Sequence, residues 1–248
     1  MENYPLTILG SLENLQKENL EKLSKKNCYW YIKQKDGSFG RQITITKKPI
    51  TFFGEKVLTN KINQYVIQKE IITDDYKNRK YDYRIYLLII KQNDEIKYYY
   101  YKKYIVRFAF KEQDDITKDI YNSITNHHIY SLQKLDENFY QFNENFEKHH
   151  ETEIYQLNEK FINLFKNYQK DFEDLLENNQ FRILGMDYLV EKLTNKLFIL
   201  ELNTKPGVFY SNVEEEFFIK YNNFHENIII DLNNLILEKY QENWLKIK

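Results

Sequence analysis

The order of patterns along the chain predicts an α+β fold. Three observations carry that expectation. Segments with strand character fill most of the first 110 residues, an apolar stripe at three- and four-residue steps runs from about 137 to 177, and a hairpin near 181–203 precedes a second helical stripe. At 248 residues the chain is long enough for one large domain or two small ones.

Taken in order, Leu12, Leu15, Leu20 and Leu23 recur at roughly helical spacing, and Ser11 suits the cap of that short helix, with Asn14 three residues on. Residues 29–33 read as a strand. A loop holding Gly37 and Gly40 follows, then a strand at 42–46. Residues 65–72 are apolar, with Gln68, Lys69 and Glu70 set among them. The clearest strand is 81–90. Residues 96–101 pair back onto it across 92–95, and 104–110 form another strand. Phe139, Phe142, Phe146, Ile154, Leu157, Phe161, Leu164, Tyr168, Phe172 and Leu175 mark the first helical stripe, opposite a charged face. Its length predicts a break near 148–152. The tail, 213–248, is helical again, on Ile228, Ile229, Leu232, Leu235 and Ile236.

Composition excludes several classes. The formal net charge is −1, so no basic excess points to nucleic acid. No apolar run approaches the roughly 20 residues of a membrane helix, and the polar, acidic amino terminus lacks a secretory pattern. The single cysteine, Cys28, cannot form an internal disulfide and fits a reducing, cytoplasmic setting. Asn, Lys, Ile and Tyr are abundant, whereas there are only six glycines and three prolines, the pattern of an AT-rich genome. The surviving glycines therefore carry more information; Gly37, Gly40, Gly185 and Gly207 all fall beside the segments discussed here.

The hairpin holds the most specific chemistry. Two apolar runs flank a polar turn at 191–196, and side chains alternate faces along each strand. Glu201 and Asn203, two apart, share a face. Asp187 joins them if it pairs with residue 201 or 203, and a turn centred on Thr194 or Asn195 permits either register. Two carboxylates and an amide on one buried face cost several kcal/mol, on the order of 2–7 for a polar group alone, unless a partner offsets it. A hard cation such as Mg²⁺ accepts such an oxygen-only set. The plainer reading is a polar edge open to water, and spacing alone leaves both open.

Other candidates are weaker alone. Lys33 ends a strand before the loop Gly37-Ser38-Phe39-Gly40-Arg41, a possible phosphate cradle or a surface turn. Asp82 and Arg84 share a face of the strand at 81–90, and Arg107 sits in another apolar strand. Buried arginines need acidic partners or anions; internal pairing, for example of Arg84 with Glu70, is the plainer reading. His127, His128, His149, His150 and His225 meet no metal spacing and read as surface or helix residues.

Together these segments resemble a known family. Trp-x-Ile-Lys at 30–33, Gln-Lys-x-Ile at 68–71, Lys-x-Asp-x-Arg at 80–84, Val-Arg-Phe-Ala at 106–109, Thr-Asn at 125–126, Gly-x-Asp at 185–187 and Leu-Glu-Leu-Asn-x-x-Pro-Gly at 200–207 resemble the tubulin–tyrosine ligase-like family of ATP-grasp ligases. The resemblance spans residues 4–208 and favours the metal reading of the hairpin. It implies an ATP-grasp fold in which two α+β subdomains with mainly antiparallel sheets, 1–72 and 73–248, sandwich the nucleotide. It implies ATP and Mg²⁺, an amino-acid substrate and a protein acceptor such as tubulin.

Residue by residue, the resemblance places Lys33 on the nucleotide phosphates, and Gln68, Lys69 and Ile71 in the adenine pocket. It places Lys80 and Asp82 on the ribose and phosphate side, with Thr125 and Asn126 in the family's Thr-Asn motif. Arg84 and Arg107 match the arginines at the site of phosphate transfer, and Asp187, Glu201 and Asn203 match the Mg²⁺ ligands. Three departures stand out: Gln34 replaces a proline, the following loop is poorer in glycine, and Ser123 replaces the family histidine. The family's additional amino-terminal domain would lie before the start of this chain. The expected activity is ATP-dependent joining of an amino acid to a protein carboxylate. A non-catalytic binding module and a ligase for a small molecule or free peptide are the alternatives.

Overall fold

A computed structural model of the chain describes residues 7–9, 28–34, 43–49, 65–93, 95–112, 123, 125, 140–142, 151–174, 176–206, 216–237, 239 and 242–247. They fall into two compact units. One draws on Met1–Tyr81, Phe108–Lys134 and Leu189–Phe198, the other on Asp82–Arg107, Leu135–Tyr188 and Ile199–Lys248. The sequence reading sets one boundary near residue 72; the chain instead crosses between the units first at 81–82 and then repeatedly. The expected amino-terminal helix, the loop at 37–41, the residues at 143–150 and Gly207 lie outside the described residues.

The first unit is built on a four-stranded antiparallel sheet. It comprises β1 (Thr7–Leu9), β2 (Trp30–Gln34), β3 (Ile43–Thr46) and β4 (Tyr65–Lys69), in the order β1-β4-β2-β3. In β2 and β4 the side chains alternate. Trp30, Ile32 and Ile67 bury one face, and the register places Tyr31 opposite Gln68 on the other. β5 (Asp75–Tyr76) then turns back into β6 (Arg79–Gln92) through Lys77 and Asn78, both at positive φ (51° and 59°). Two left-handed residues in a two-residue loop make the turn whose twist matches a hairpin. Tyr76 and Tyr81 pack on Phe108 at 5.7 and 6.2 Å between ring centroids.

The second unit is organised around β6. β7 (Glu95–Tyr101) folds back onto it, and β10 (Gln180–Val190) pairs antiparallel on its other side. The order runs β11-β10-β6-β7-β12, with β8 (Ile105–Phe108) pairing β6 and β9 (Tyr140–Phe142) pairing β8. β11 spans Leu197–Asn203 and β12 spans Trp244–Lys246. Ile85 through Ile89 are buried without a break, so both faces of β6 are covered.

The tyrosine run of β7 shows what covers them. Tyr98 and Tyr100 point to one face, where Phe165 of α1 (Glu151–Asn167) stacks on the first at 4.1 Å and Phe161 packs tilted on the second at 5.4 Å. Tyr101 points to the other, against Phe224 of α3 (Glu216–Ile236) at 6.0 Å and Trp244 at 4.9 Å. A short α2 (Gln169–Glu173) continues α1 past Tyr168 and buries Phe172 against Phe165. Tyr221, Phe224, His225, Ile228 and Leu232 form the buried stripe of α3 at three- and four-residue steps. No helix among the described residues is long and apolar enough to cross a membrane.

Two segments depart from the helical expectation. Residues 140–142 form β9, since Tyr140 and Phe142 suit a strand and the ladder to β8 outweighs local spacing. The tail does not stay helical: after α3, β12 docks on β7 with Trp244 opposite Tyr101. The helix predicted from 137 is described only from Glu151, and it carries a break at Tyr168.

His225 is a helix residue, as expected, but wholly buried. Its Nδ1 donates to the Tyr221 carbonyl at 2.8 Å, since a carbonyl only accepts. Nε2 therefore accepts from the Tyr86 hydroxyl, 2.5 Å away. Burial first, then the Arg84 charge, lower its pKa from 6.5 to about 4, against the raising effect of the Tyr221 carbonyl. The neutral ring is thus favoured by folding, so its stabilisation is present above pH 6.5 and is lost as pH falls towards 4. Urea unfolding across that window should show the wild type losing about 3 kcal/mol more than His225→Gln; equal slopes would contradict it.

Candidate functional site

In the second unit the charged residues picked out by the sequence come together. Asp82 and Arg84 lie two apart on β6, Arg107 on β8, and Asp187 on β10 directly across from Arg84 in the register. Arg84 grips Asp187 with two nitrogens: Nε donates to Oδ1, and Nη2 to Oδ2 at 2.9 Å. Arg107 donates Nε and Nη2 to the two oxygens of Asp82 at 2.7 and 2.6 Å, and the same Nη2 reaches Asp187 Oδ2 at 2.9 Å. The array runs Asp82–Arg107–Asp187–Arg84, two cations alternating with two anions. The internal pairing expected for Arg84 is real, but its partner is Asp187 rather than Glu70.

These groups are deeply placed: Asp82, Arg107 and Asp187 are 3, 5 and 3 % exposed. Burial raises the pKa of the Asp187 carboxyl; Arg107 and Arg84 outweigh burial and hold it below the usual carboxylate range. Burial lowers the pKa of Arg84, while Asp187 more than restores it. Asp187 is therefore a permanent anion, and the two guanidinium groups are permanent cations.

Gly185 makes room for this array. A Cβ there would lie 3.0 Å from the Pro206 Cβ and 3.4 Å from the Arg84 Cδ. The strand thus passes close to the arginine stem and to the proline after β11, and a side chain here would crowd the proline.

The hairpin forms as expected. β10 and β11 are joined through 191–196, with Glu191 N donating to the Lys196 carbonyl at 2.8 Å and Asn195 at φ 52°. Asp187 lies within hydrogen-bonding reach of the Glu201 carboxyl. Asn203 Nδ2 donates to Glu201 Oε1 at 3.0 Å. Glu201 is exposed and Asn203 half-buried. Two carboxylates and an amide converge, with oxygens only, which fits Mg²⁺. Among the described residues no group of three or more His, Cys, Asp or Glu approaches metal geometry, so any such site depends on the Asn203 amide.

The first unit holds the remaining candidates. Lys33 is half-buried on the face of β2 that carries Tyr31, with Gln68 across from Tyr31. Lys69 faces the other way, opposite Trp30. Gln68 and Ile71 are buried, as are Ser123 and Thr125. Lys80 is buried, and its Nζ donates to the Tyr31 hydroxyl at 3.1 Å. Asn126 lies outside the described residues. Tyr31 is not among the sequence candidates, although it stands inside the Trp-Tyr-Ile-Lys segment, two residues before Lys33. Sequence reasoning also misses the Tyr86–His225 pair; the two are 139 residues apart, and no spacing signals it.

The family described as YheC/D-like ATP-grasp matches residues 22–225. Tubulin glycylase 3C of Tetrahymena thermophila is 27% identical over 217 residues, which cover 80% of this chain and 20% of that protein. The chain thus spans about a fifth of that relative's length. Both findings agree with the likeness to tubulin–tyrosine ligase-like ATP-grasp proteins read from the motifs.

Removing one charge from the array leaves buried ions without a counterion. Arg107→Met should lower the unfolding free energy by about 3–5 kcal/mol, measured by urea denaturation. A loss below about 1 kcal/mol, the scale of an exposed pair, would contradict the buried array.

Proposed function

This chain belongs to the YheC/D-like ATP-grasp family, and on that premise we propose that it is an ATP-dependent carboxylate–amine ligase. The observation that carries this reading is the Asp82–Arg107–Asp187–Arg84 array beside Glu201 and Asn203. Structural ion pairs can be replaced by apolar residues at little cost. Two permanent guanidinium cations beside a carboxylate pair suit a reaction that transfers a phosphoryl group.

In the proposed reaction a substrate carboxylate oxygen attacks the γ-phosphorus of ATP. The bond to the β–γ bridging oxygen breaks, ADP leaves, and an acyl phosphate forms. An amine nitrogen then attacks the acyl carbon, phosphate departs with the acyl oxygen, and the nitrogen loses a proton to give an amide. Arg84 and Arg107 stabilise charge on the transferred group. Asp82 orients Arg107 through both of its oxygens. Lys33 and Lys80 meet the phosphates; the segment that holds Gln68, Lys69 and Ile71 runs along the base; Thr125 and Asn126 complete the nucleotide contacts. Asp187, Glu201 and Asn203 would hold Mg²⁺, which supplies charge neutralisation and orientation of the phosphates. The first unit, with its Lys33 sheet, corresponds to the small nucleotide-binding subdomain, and the second to the large one.

The proposed acceptor is a protein carboxylate. The named relative is a tubulin glycylase, so glycine and tubulin tails are the first substrates to try. Calorimetry with a non-hydrolysable ATP analogue should show Mg²⁺-dependent binding, and Glu201→Gln should lose most of that dependence. Absence of binding by the wild type would overturn the ligase reading.

A further inference from the structure

Lys80 is buried, and a buried ammonium must be held by other groups. Tyr31 does this in two ways: its hydroxyl accepts from Lys80 Nζ at 3.1 Å, and its ring lies 5.0 Å from the same nitrogen. The tyrosine is itself 9 % exposed. Its oxygen is occupied as an acceptor, which turns the phenolic proton away from Lys80. Among the described residues that proton meets no acceptor. The hydroxyl is thus a donor held beside a cation.

The surroundings say which acceptor it suits. Tyr31 and Lys33 are two apart on β2 and share a face, and Gln68 of β4 stands across from Tyr31 on that same face. The hydroxyl therefore shares its sheet face with one lysine and is hydrogen-bonded to a second. A donor hydrogen-bonded to one ammonium, on a sheet face that carries a second lysine, suits an anionic oxygen better than a neutral one. We propose that Tyr31 is a positioning residue for the nucleotide, its hydroxyl bridging the Lys80 ammonium and a phosphate oxygen. This rests on the reading of the chain as an ATP-binding enzyme and assigns to that site a residue its motifs do not single out.

Tyr31→Phe removes the hydroxyl and keeps the ring beside Lys80. Calorimetry on the full chain would compare a Mg²⁺-bound non-hydrolysable ATP analogue with adenosine, which has no phosphate. Tyr31→Phe should weaken the analogue about tenfold, the worth of one hydrogen bond to a charged group, and leave adenosine within about twofold. The ratio of the two affinities decides the matter, and it is read at low temperature so that a modest loss of stability does not obscure it. An unchanged analogue affinity, or an equal loss for adenosine, overturns the role of Tyr31 while ATP binding stands. A wild type that binds neither ligand overturns both readings.

Discussion

The second unit depends on one buried anion. Asp187 lies on β10, a strand covered by its neighbours, where an isolated carboxylate would take up a proton. Arg84 and Arg107 prevent that, and Asp82 balances the second of them. The geometry of three strands follows: β6 and β10 must meet in a register that sets Asp187 opposite Arg84, and β8 must bring Arg107 alongside. The absence of a side chain at Gly185 serves the same end, since the arginine stem passes over it.

Buried pairs of this kind rarely maximise stability. Apolar residues of similar volume would close the same strands at least as well, as Ile85, Leu87 and Ile89 do on the other face of β6. Charge stands where it is costly, and the polar groups continue onto β11 with the exposed Glu201 and the half-buried Asn203. The groups thus range from buried and part-buried ion pairs to an exposed carboxylate.

Much of this was legible in the sequence, and the reasons differ by element. The β10–β11 hairpin was legible because both strands and their turn are contiguous, so spacing alone put Glu201 and Asn203 on one face. The β6–β7 hairpin was legible for the same reason. The partner of Arg84 was not, because Asp187 lies 103 residues away and only the three-dimensional register joins them. Residues 140–142 and 244–246 read as helix because their apolar spacing allowed it, yet each docks on a waiting sheet edge. For Tyr31, the place on the strand could be read, but the reach of Lys80 across 49 residues could not.

The separation between Arg84 and Asp187 also bears on how the chain folds. The β6–β7 hairpin closes through a short turn, whereas the pairing of β6 with β10 must wait for a loop of some ninety residues to close, and such long-range contacts form slowly. The Arg84–Asp187 pair can assemble only after that closure and so forms late in folding. Changes to its residues should then act mainly on how fast the native chain opens and little on how fast it forms. The lifetime of the folded state and the integrity of the charged site would rest on the same two side chains.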